Sequence, residues 1–322
     1  MWQVVGHEWA VALLERSLAN GRMAHAYLLL GLPQIGKTTL ALNFAQALHC
    51  LGEERPCGQC RPCLKIAHGN HPDVRVIEAA NGTIKIDQVR DMQREVALSP
   101  HEGRWKVYII RQMERATTEA ANCLLKTLEE PPPQVILMLT ASESDPLLPT
   151  IISRCQVLNL RPPSVPLVQK ALQERWGVDA RRAGLLARLS GGRLGWAVRA
   201  SQDETILRRR ERRLDEMAEL MRQGRVERLR YAQRLSQNPD ELQEVLDLWL
   251  GWWRDLLLIK GGSSTEVTNV DRQATLRSQA RDYSLDQVRD SIEALRSAVW
   301  QLEHNANTRL ALEVLMLSLP TL

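Results

Sequence analysis

The sequence predicts an α/β core built on a parallel sheet with helices on both faces, followed by an all-helical remainder. Three observations carry this expectation. Over residues 1 to about 160, short apolar runs alternate with segments of helical spacing, as in a sheet covered on both sides. A glycine-bearing phosphate-loop motif joins one such run to the helix after it. Beyond Arg161-Pro162-Pro163, where consecutive prolines stop regular structure, no strand-like run recurs.

In chain order, residues 11–18 have helical spacing and 26–30 form a short apolar strand. Residues 37–49 are helical, 74–78 extended and 86–98 helical. Strands are expected at 106–110 and 135–141, with a helix at 119–129 between them. Past the prolines come three short helices at 167–176, 180–189 and 194–201. Longer helices follow from Thr205, interrupted at Gln237-Asn238-Pro239 and at Gly261-Gly262-Ser263-Ser264. Within 242–259, apolar side chains including Trp249, Trp252 and Trp253 cover most of the circumference. Such a helix is buried on several sides, in a bundle or an assembly surface.

Composition narrows the class. Hydrophobic residues at 44% and charged residues at 25% exclude wholesale disorder, and 322 residues suit two or three domains. A net charge of +4 on this length does not by itself indicate a nucleic-acid binder. Locally, residues 181–230 carry fourteen Arg against seven acidic residues, which fits either solvated helix faces or phosphate-backbone contacts. The first ten residues lack the apolar core of a secretory signal. The most apolar helix contains Asp247, Arg254 and Asp255, so no membrane span is expected. Six cysteines without a secretory signal point to a reducing compartment, the cytoplasm.

Gly31-Leu32-Pro33-Gln34-Ile35-Gly36-Lys37-Thr38 matches G-x-x-x-x-G-K-[ST] between a strand and a helix. Backbone N–H groups of such a loop wrap phosphates, the helix N-terminus adds positive charge, Lys37 reaches the terminal phosphates, and Thr38 offers a hydroxyl to Mg²⁺. Gly31, Gly36, Lys37 and Thr38 are therefore the candidate nucleotide-binding residues, with ATP or ADP as ligand. Hydrolysis also needs acids at the end of a neighbouring strand. After strand 106–110 those two positions hold Arg111 and Gln112, and Glu114 comes two to three residues late. The loop is expected to bind nucleotide and to hydrolyse it negligibly, with Mg²⁺ poorly provided for.

Cys50, Cys57, Cys60 and Cys63 follow C-x₆-C-x₂-C-x₂-C, four thiolates within fourteen residues and enough for a closed tetrahedral zinc site. With no open position, that site reads as structural. His49, His68 and His71 lie close enough in sequence to substitute for one thiolate, and Cys123 and Cys155 read as buried small side chains. Two further segments stand out. Residues 122–132 form a helix ending Leu128-Glu129-Glu130-Pro131-Pro132, and residues 148–155 form an apolar helix exposing Arg154 near its end.

Taken together, the phosphate loop, the four-cysteine insertion, Leu124-Leu125-Lys126-Thr127-Leu128-Glu129-Glu130-Pro131-Pro132, Ser153-Arg154-Cys155 and the closing Asn305-Ala306-Asn307-Thr308-Arg309 resemble the clamp-loader branch of the AAA+ ATPases of bacterial DNA polymerase III. The resemblance covers nearly the whole chain. It implies an AAA+ core over 1–162 with a zinc module at 50–63, a small helical lid over 163–204 and a helical collar over 205–322. It further implies a hetero-pentameric ring with gamma/tau and delta subunits, in which the tryptophan-rich collar helix takes part, loading a sliding clamp onto primed DNA. Arg111-Gln112 in place of the motor's Asp-Glu, and Gly195 where the motor carries a nucleotide-sensing arginine, imply a stator that is non-catalytic alone. Arg154 would then be an arginine finger acting in trans on a neighbour's ATP. Two other readings stay open: an active gamma/tau-like ATPase, and a zinc-dependent DNA-binding protein.

Overall fold

The computed structural model describes residues 2–80, 82–263, 267–304 and 306–321; Ser264 and Asn305, both named above, lie outside them. The chain forms two compact units. The first comprises Met1–Ala171 with Gly192–Gly195. It contains α1 (Glu8–Ala19), β1 (Ala26–Leu30), α2 (Lys37–His49), α3 (Arg61–Ala67), β2 (Val74–Ile77), α4 (Ile86–Val96), β3 (Lys106–Ile110), α5 (Thr118–Glu129), β4 (Val135–Ala141), α6 (Pro149–Ile152) and β5 (Gln156–Asn159). The five strands make one sheet in the order β2-β3-β4-β1-β5, with every pairing parallel.

Strand alternation divides the core between the two faces. Tyr27, Leu29, Val107, Ile109, Ile136 and Met138 point to the side covered by α1, α2 and α3. Leu28, Leu30, Tyr108, Ile110, Leu137 and Leu139 point to the side covered by α4, α5 and α6. β1, β3 and β4 are buried along their whole lengths, which is why they read as unbroken apolar runs. Full burial of each large aliphatic side chain contributes about 1.5–3 kcal/mol, so this three-strand centre dominates the stability of the unit. Two elements were not expected from sequence. β5 is an edge strand that buries only Leu158, leaving no apolar run to recognise. α3 is seven residues long and begins inside the cysteine motif, with Pro62 in its first turn.

α7 (Val165–Trp176) begins in the first unit and runs into the second, Leu172–Gly191 with Trp196–Leu322. The second unit is helical: α8 (Ala180–Leu189), α9 (Leu194–Gln202, from Trp196 onward), α10 (Glu204–Leu220), α11 (Arg225–Ser236), α12 (Pro239–Lys260), α13 (Gln273–Asp282), α14 (Leu285–Glu303) and α15 (Thr308–Ser318). Asp179 caps α8, Ser284 and Gln287 form a capping box on α14, and Asn307 caps α15, so side-chain oxygens set these helix starts. No helix among the described residues is long and apolar enough to cross a membrane.

The tryptophans of α12 correct one expectation. Trp249, Trp252 and Trp253 are buried in this unit's own core, because α10, α11, α13 and α14 surround the helix. Trp249 stacks on Tyr231, Trp253 lies against Tyr283, and Trp252 donates its indole N–H to Gln279 Oε1 at 2.9 Å. These rings are core, and the large apolar side chains left exposed include Trp300 on α14 and Leu310, Val314 and Leu317 on α15.

Arginines of the 181–230 stretch find partners inside the unit. Arg208 pairs with Glu204 one turn away, Arg213 with Glu216, and Arg210 with Asp271 and Asn269. Arg228 is buried and donates to the carbonyls of Leu220, Met221, Met316, Leu319 and Pro320 at 2.7–3.4 Å. Those carbonyls belong to the C-terminal ends of α10 and α15, whose partial negative charge offsets the guanidinium. Replacing Arg228 with Leu strips five acceptors of their donor at once. Urea unfolding of Arg228→Leu is expected to show a loss on the order of 3 kcal/mol, with Arg228→Lys recovering only part because one ammonium cannot span both helix ends. A loss below about 1 kcal/mol would show that water replaces the guanidinium freely.

Candidate functional site

The phosphate loop leaves β1 at the carboxyl edge of the sheet and enters α2. Gly31 has φ +145°, and a Cβ there would lie 2.4 Å from the Leu160 carbonyl oxygen, so no side chain fits. Its N–H donates to the Ala141 carbonyl at 3.2 Å, tying the start of the loop to the end of β4. Gln34 (φ +64°) and Gly36 (φ +113°) are also left-handed, and Gly36 is the N-cap of α2. The Lys37 ammonium donates to the Gly31 carbonyl and, at 2.9 Å, to the Leu32 carbonyl. Burial lowers its pKa to about 8, against the opposing charge of Glu114. It therefore stays mostly protonated at pH 7. Thr38 follows in the first turn of α2.

Two contacts outside the motif hold the loop. His7 is buried and burial lowers its pKa; its Nε2–H donates to the Ile35 carbonyl at 2.9 Å. The carbonyl can only accept, which fixes the proton on Nε2. The Gly195 N–H donates to the Gln34 carbonyl at 2.9 Å, and a Cβ at position 195 would stand 3.1 Å from that same oxygen. Position 195 is thus pressed against the loop backbone with little room for a longer side chain.

The acids differ from the sequence expectation. The Arg111 guanidinium pairs with Glu78, just past β2, on the side of β3 away from β4 and β1. It is not a cation inside the loop. Gln112 takes φ +54° and gives its N–H to Thr140 Oγ1 at 3.1 Å, which turns the chain out of the sheet into a 3₁₀ turn at Met113–Arg115. That turn brings Glu114 back toward the loop. Its Oε1 accepts from Ser142 N–H at 3.2 Å and Ser142 Oγ–H at 2.8 Å, while Oε2 is buried with no hydrogen-bond partner among the described residues. Sequence reasoning passed over Glu114 as late and gave Ser142 no role; the β4–β1 pairing alone brings Ser142 beside Gly31.

The four cysteines converge. The Sγ atoms of Cys50, Cys57, Cys60 and Cys63 all lie within 4.8 Å of one another, with no histidine in the group. A tetrahedral zinc with ~2.3 Å bonds needs sulfurs about 3.8 Å apart, so the cluster is close to the required size. Backbone N–H groups of Gly52 and Cys57 point at Cys50 Sγ at 3.4 and 3.3 Å, and that of Cys60 at Cys57 Sγ at 3.3 Å, as thiolates would favour. Backbone donors lower Cys57 to about 6, whereas burial pushes Cys63 up to about 12. A cation among the sulfurs would make all four thiolates stable together. His49 instead packs on His71 with ring centroids 4.4 Å apart, and His68 turns to the Leu64 carbonyl.

Arg154 lies just past α6, which spans only Pro149–Ile152 where a longer helix was expected. It is partly exposed; Nη2 pairs with Glu129 Oε1 at 2.8 Å and Nη1 donates to the Thr150 carbonyl at 3.0 Å. β5 pairs parallel to β1 with Tyr27 opposite Gln156, so Arg154 lies at the amino edge of the sheet. The phosphate loop lies at the carboxyl edge, one strand length away, roughly 15 Å at 3.3 Å per residue.

The comparisons with known proteins agree with one another. The profile described as "DNA polymerase III, delta subunit" matches residues 6–164, and that of its C-terminal domain matches residues 206–321. DNA polymerase III subunit delta' of Bacillus subtilis is 31% identical over 315 residues, covering 95% of this chain and 94% of that one. Subunit delta' of Haemophilus influenzae is 36% identical over 61% of each chain. Subunit tau of Escherichia coli is 36% identical over 59% of this chain and only 31% of its own length. With matches at both ends of the sequence and near-complete mutual coverage with a delta' relative, the chain belongs to the DNA polymerase III delta-prime family of clamp-loader subunits.

Proposed function

We propose that this chain is a cytoplasmic stator of a replicative clamp loader, joining gamma/tau and delta subunits in a hetero-pentameric ring that loads a sliding clamp onto primed DNA. In this reading residues 1–162 are the AAA+ core, 163–204 the lid and 205–322 the collar. Gly31, Gly36, Lys37 and Thr38 bind adenine nucleotide, and Arg154 reaches the ATP of a neighbouring motor subunit. The observation that carries the reading is the position of Arg154 at the sheet edge opposite this chain's own phosphate loop. A finger there is too far to serve in cis. Presented to a neighbour, its planar fork would stabilise the charge that develops on the transferring phosphoryl group.

Hydrolysis by this chain alone lacks a water-positioning acid, since Gln112 occupies that position and its backbone turns away. The purified chain is expected to hydrolyse ATP at a rate on the order of 10³ below its motor partner. Comparable rates would refute the stator reading. The four cysteines we assign to one structural Zn²⁺, supported by the four-sulfur geometry and the backbone donors around it. Elemental analysis should find about one zinc per chain, lost with local unfolding in Cys60→Ser while the sheet core survives. A folded, metal-free protein with four titratable thiols contradicts this.

Arg154→Ala should leave the chain folded and able to assemble. In a ring reconstituted with gamma/tau, delta, clamp and primed DNA, it should lower ATPase and slow loading. One finger is worth on the order of 10³ at its own site, so the ring shows that site's share. Arg154→Lys should rescue poorly. Equal ATPase for Arg154→Ala and wild type at matched assembly would remove the trans mechanism.

A further inference from the structure

We propose that Glu114 is the carboxylate through which the phosphate loop of this chain holds a divalent cation together with its nucleotide. The inference rests on reading Gly31–Thr38 as a nucleotide site and adds to it the metal-facing acid that the sequence lacks at Arg111 and Gln112.

A chain of hydrogen bonds brings the carboxylate there. Gly31, first residue of the loop, donates its N–H to Ala141 at the end of β4. The next residue, Ser142, grips Glu114 Oε1 with both its N–H and its hydroxyl. On the other side of the same glycine, the Lys37 ammonium sits on the Gly31 carbonyl. Ammonium and carboxylate thus flank one residue, and the charge of Glu114 acts on Lys37. Glu114 Oε2 is the one oxygen of this group left buried and unsatisfied, a state that costs free energy unless a ligand completes it. A hard divalent cation bound by one carboxylate, the Thr38 hydroxyl and phosphate oxygens is what such an oxygen suits. Arg111 offers no competition, being engaged with Glu78 beside β2.

The bland alternative is that Glu114 only neutralises buried Lys37. The two roles differ in what a cation adds: an acid that only neutralises Lys37 gives no Mg²⁺-dependent gain for Glu114→Gln to remove. A carboxylate near the phosphates repels them when no cation intervenes, so Glu114→Gln should bind nucleotide in EDTA at least as tightly as wild type. Gln keeps an oxygen for Ser142 to grip, so the fold should tolerate the change.

The test is a titration of the full-length chain with a fluorescent ADP analogue, in EDTA and in millimolar MgCl₂ at matched ionic strength. For wild type, Mg²⁺ should tighten binding about tenfold or more, and Glu114→Gln should reduce that gain to about twofold or less. Ser142→Ala, which loosens the grip on Oε1, should give an intermediate gain. Mn²⁺ in place of Mg²⁺ adds a readout independent of affinity: at saturating protein, the EPR spectrum of bound Mn²⁺–ADP should differ between wild type, whose carboxylate joins the cation's ligands, and Glu114→Gln, and identical spectra overturn the role of Glu114. Lys37→Ala should lose binding in both buffers. Binding that survives Lys37→Ala, or no binding by wild type, overturns the nucleotide reading of the loop and this inference with it. Binding that requires Lys37 but gains nothing from Mg²⁺, or a gain that survives Glu114→Gln, overturns the role of Glu114 alone.

Discussion

The turn at Gly31 is the constraint on which the rest of the first unit depends. At the end of β1 the chain must pass between β4 and β5, and the Leu160 carbonyl leaves no space for a Cβ. Only glycine at φ +145° makes that passage, and once made it fixes three things together. The N–H binds β4, the carbonyl receives the Lys37 ammonium, and the backbone is aimed into the first turn of α2. The shape of the phosphate loop is thus a by-product of how an interior strand is allowed to end.

Parallel pairing gives the sheet two unlike edges, and the chain uses both. Every strand ends at the same edge, so the phosphate loop, the Glu114 turn and Ser142 gather there although about eighty to one hundred and ten residues separate the loop from the other two in sequence. Every strand begins at the other edge, and there Arg154 meets Glu129 at the end of α5. The separation puts the phosphate loop of this domain on one side and the Arg154 guanidinium on the other. Neither can substitute for the other, because the strands hold them apart.

The cysteine module follows a different logic. Its four cysteines come from fourteen consecutive residues, so its geometry depends on local turns and on the start of α3 at Cys60, with little help from the sheet. Its attachment to the core runs through the end of α2: Cys50 follows α2 directly, and Gln46 bonds to the Cys63 carbonyl at 3.0 Å. A metal there would stiffen the module without altering the phosphate loop at the opposite end of the same helix.

By itself the sequence determined everything with a local cause. Strands buried on both faces announce themselves as apolar runs, so β1, β3 and β4 fall where the sequence puts them. The phosphate loop and the four cysteines are legible because their chemistry requires fixed spacing along the chain. Only tertiary structure decided the rest. β5 escaped because an edge strand buries one residue in four. The α12 tryptophans left a bundle and an assembly surface both open because periodicity shows that a helix is covered on several sides but not by whose atoms, and burial within the unit decides for the bundle. The surroundings of Arg111 and Glu114 needed the fold for a sharper reason. Counting from a strand end presumes the backbone continues straight, and Gln112 in the left-handed region bends it, sending Arg111 to Glu78 and Glu114 to Ser142. Which acid faces the loop is set by strand neighbours far apart in sequence, and no reading of adjacent residues contains that information.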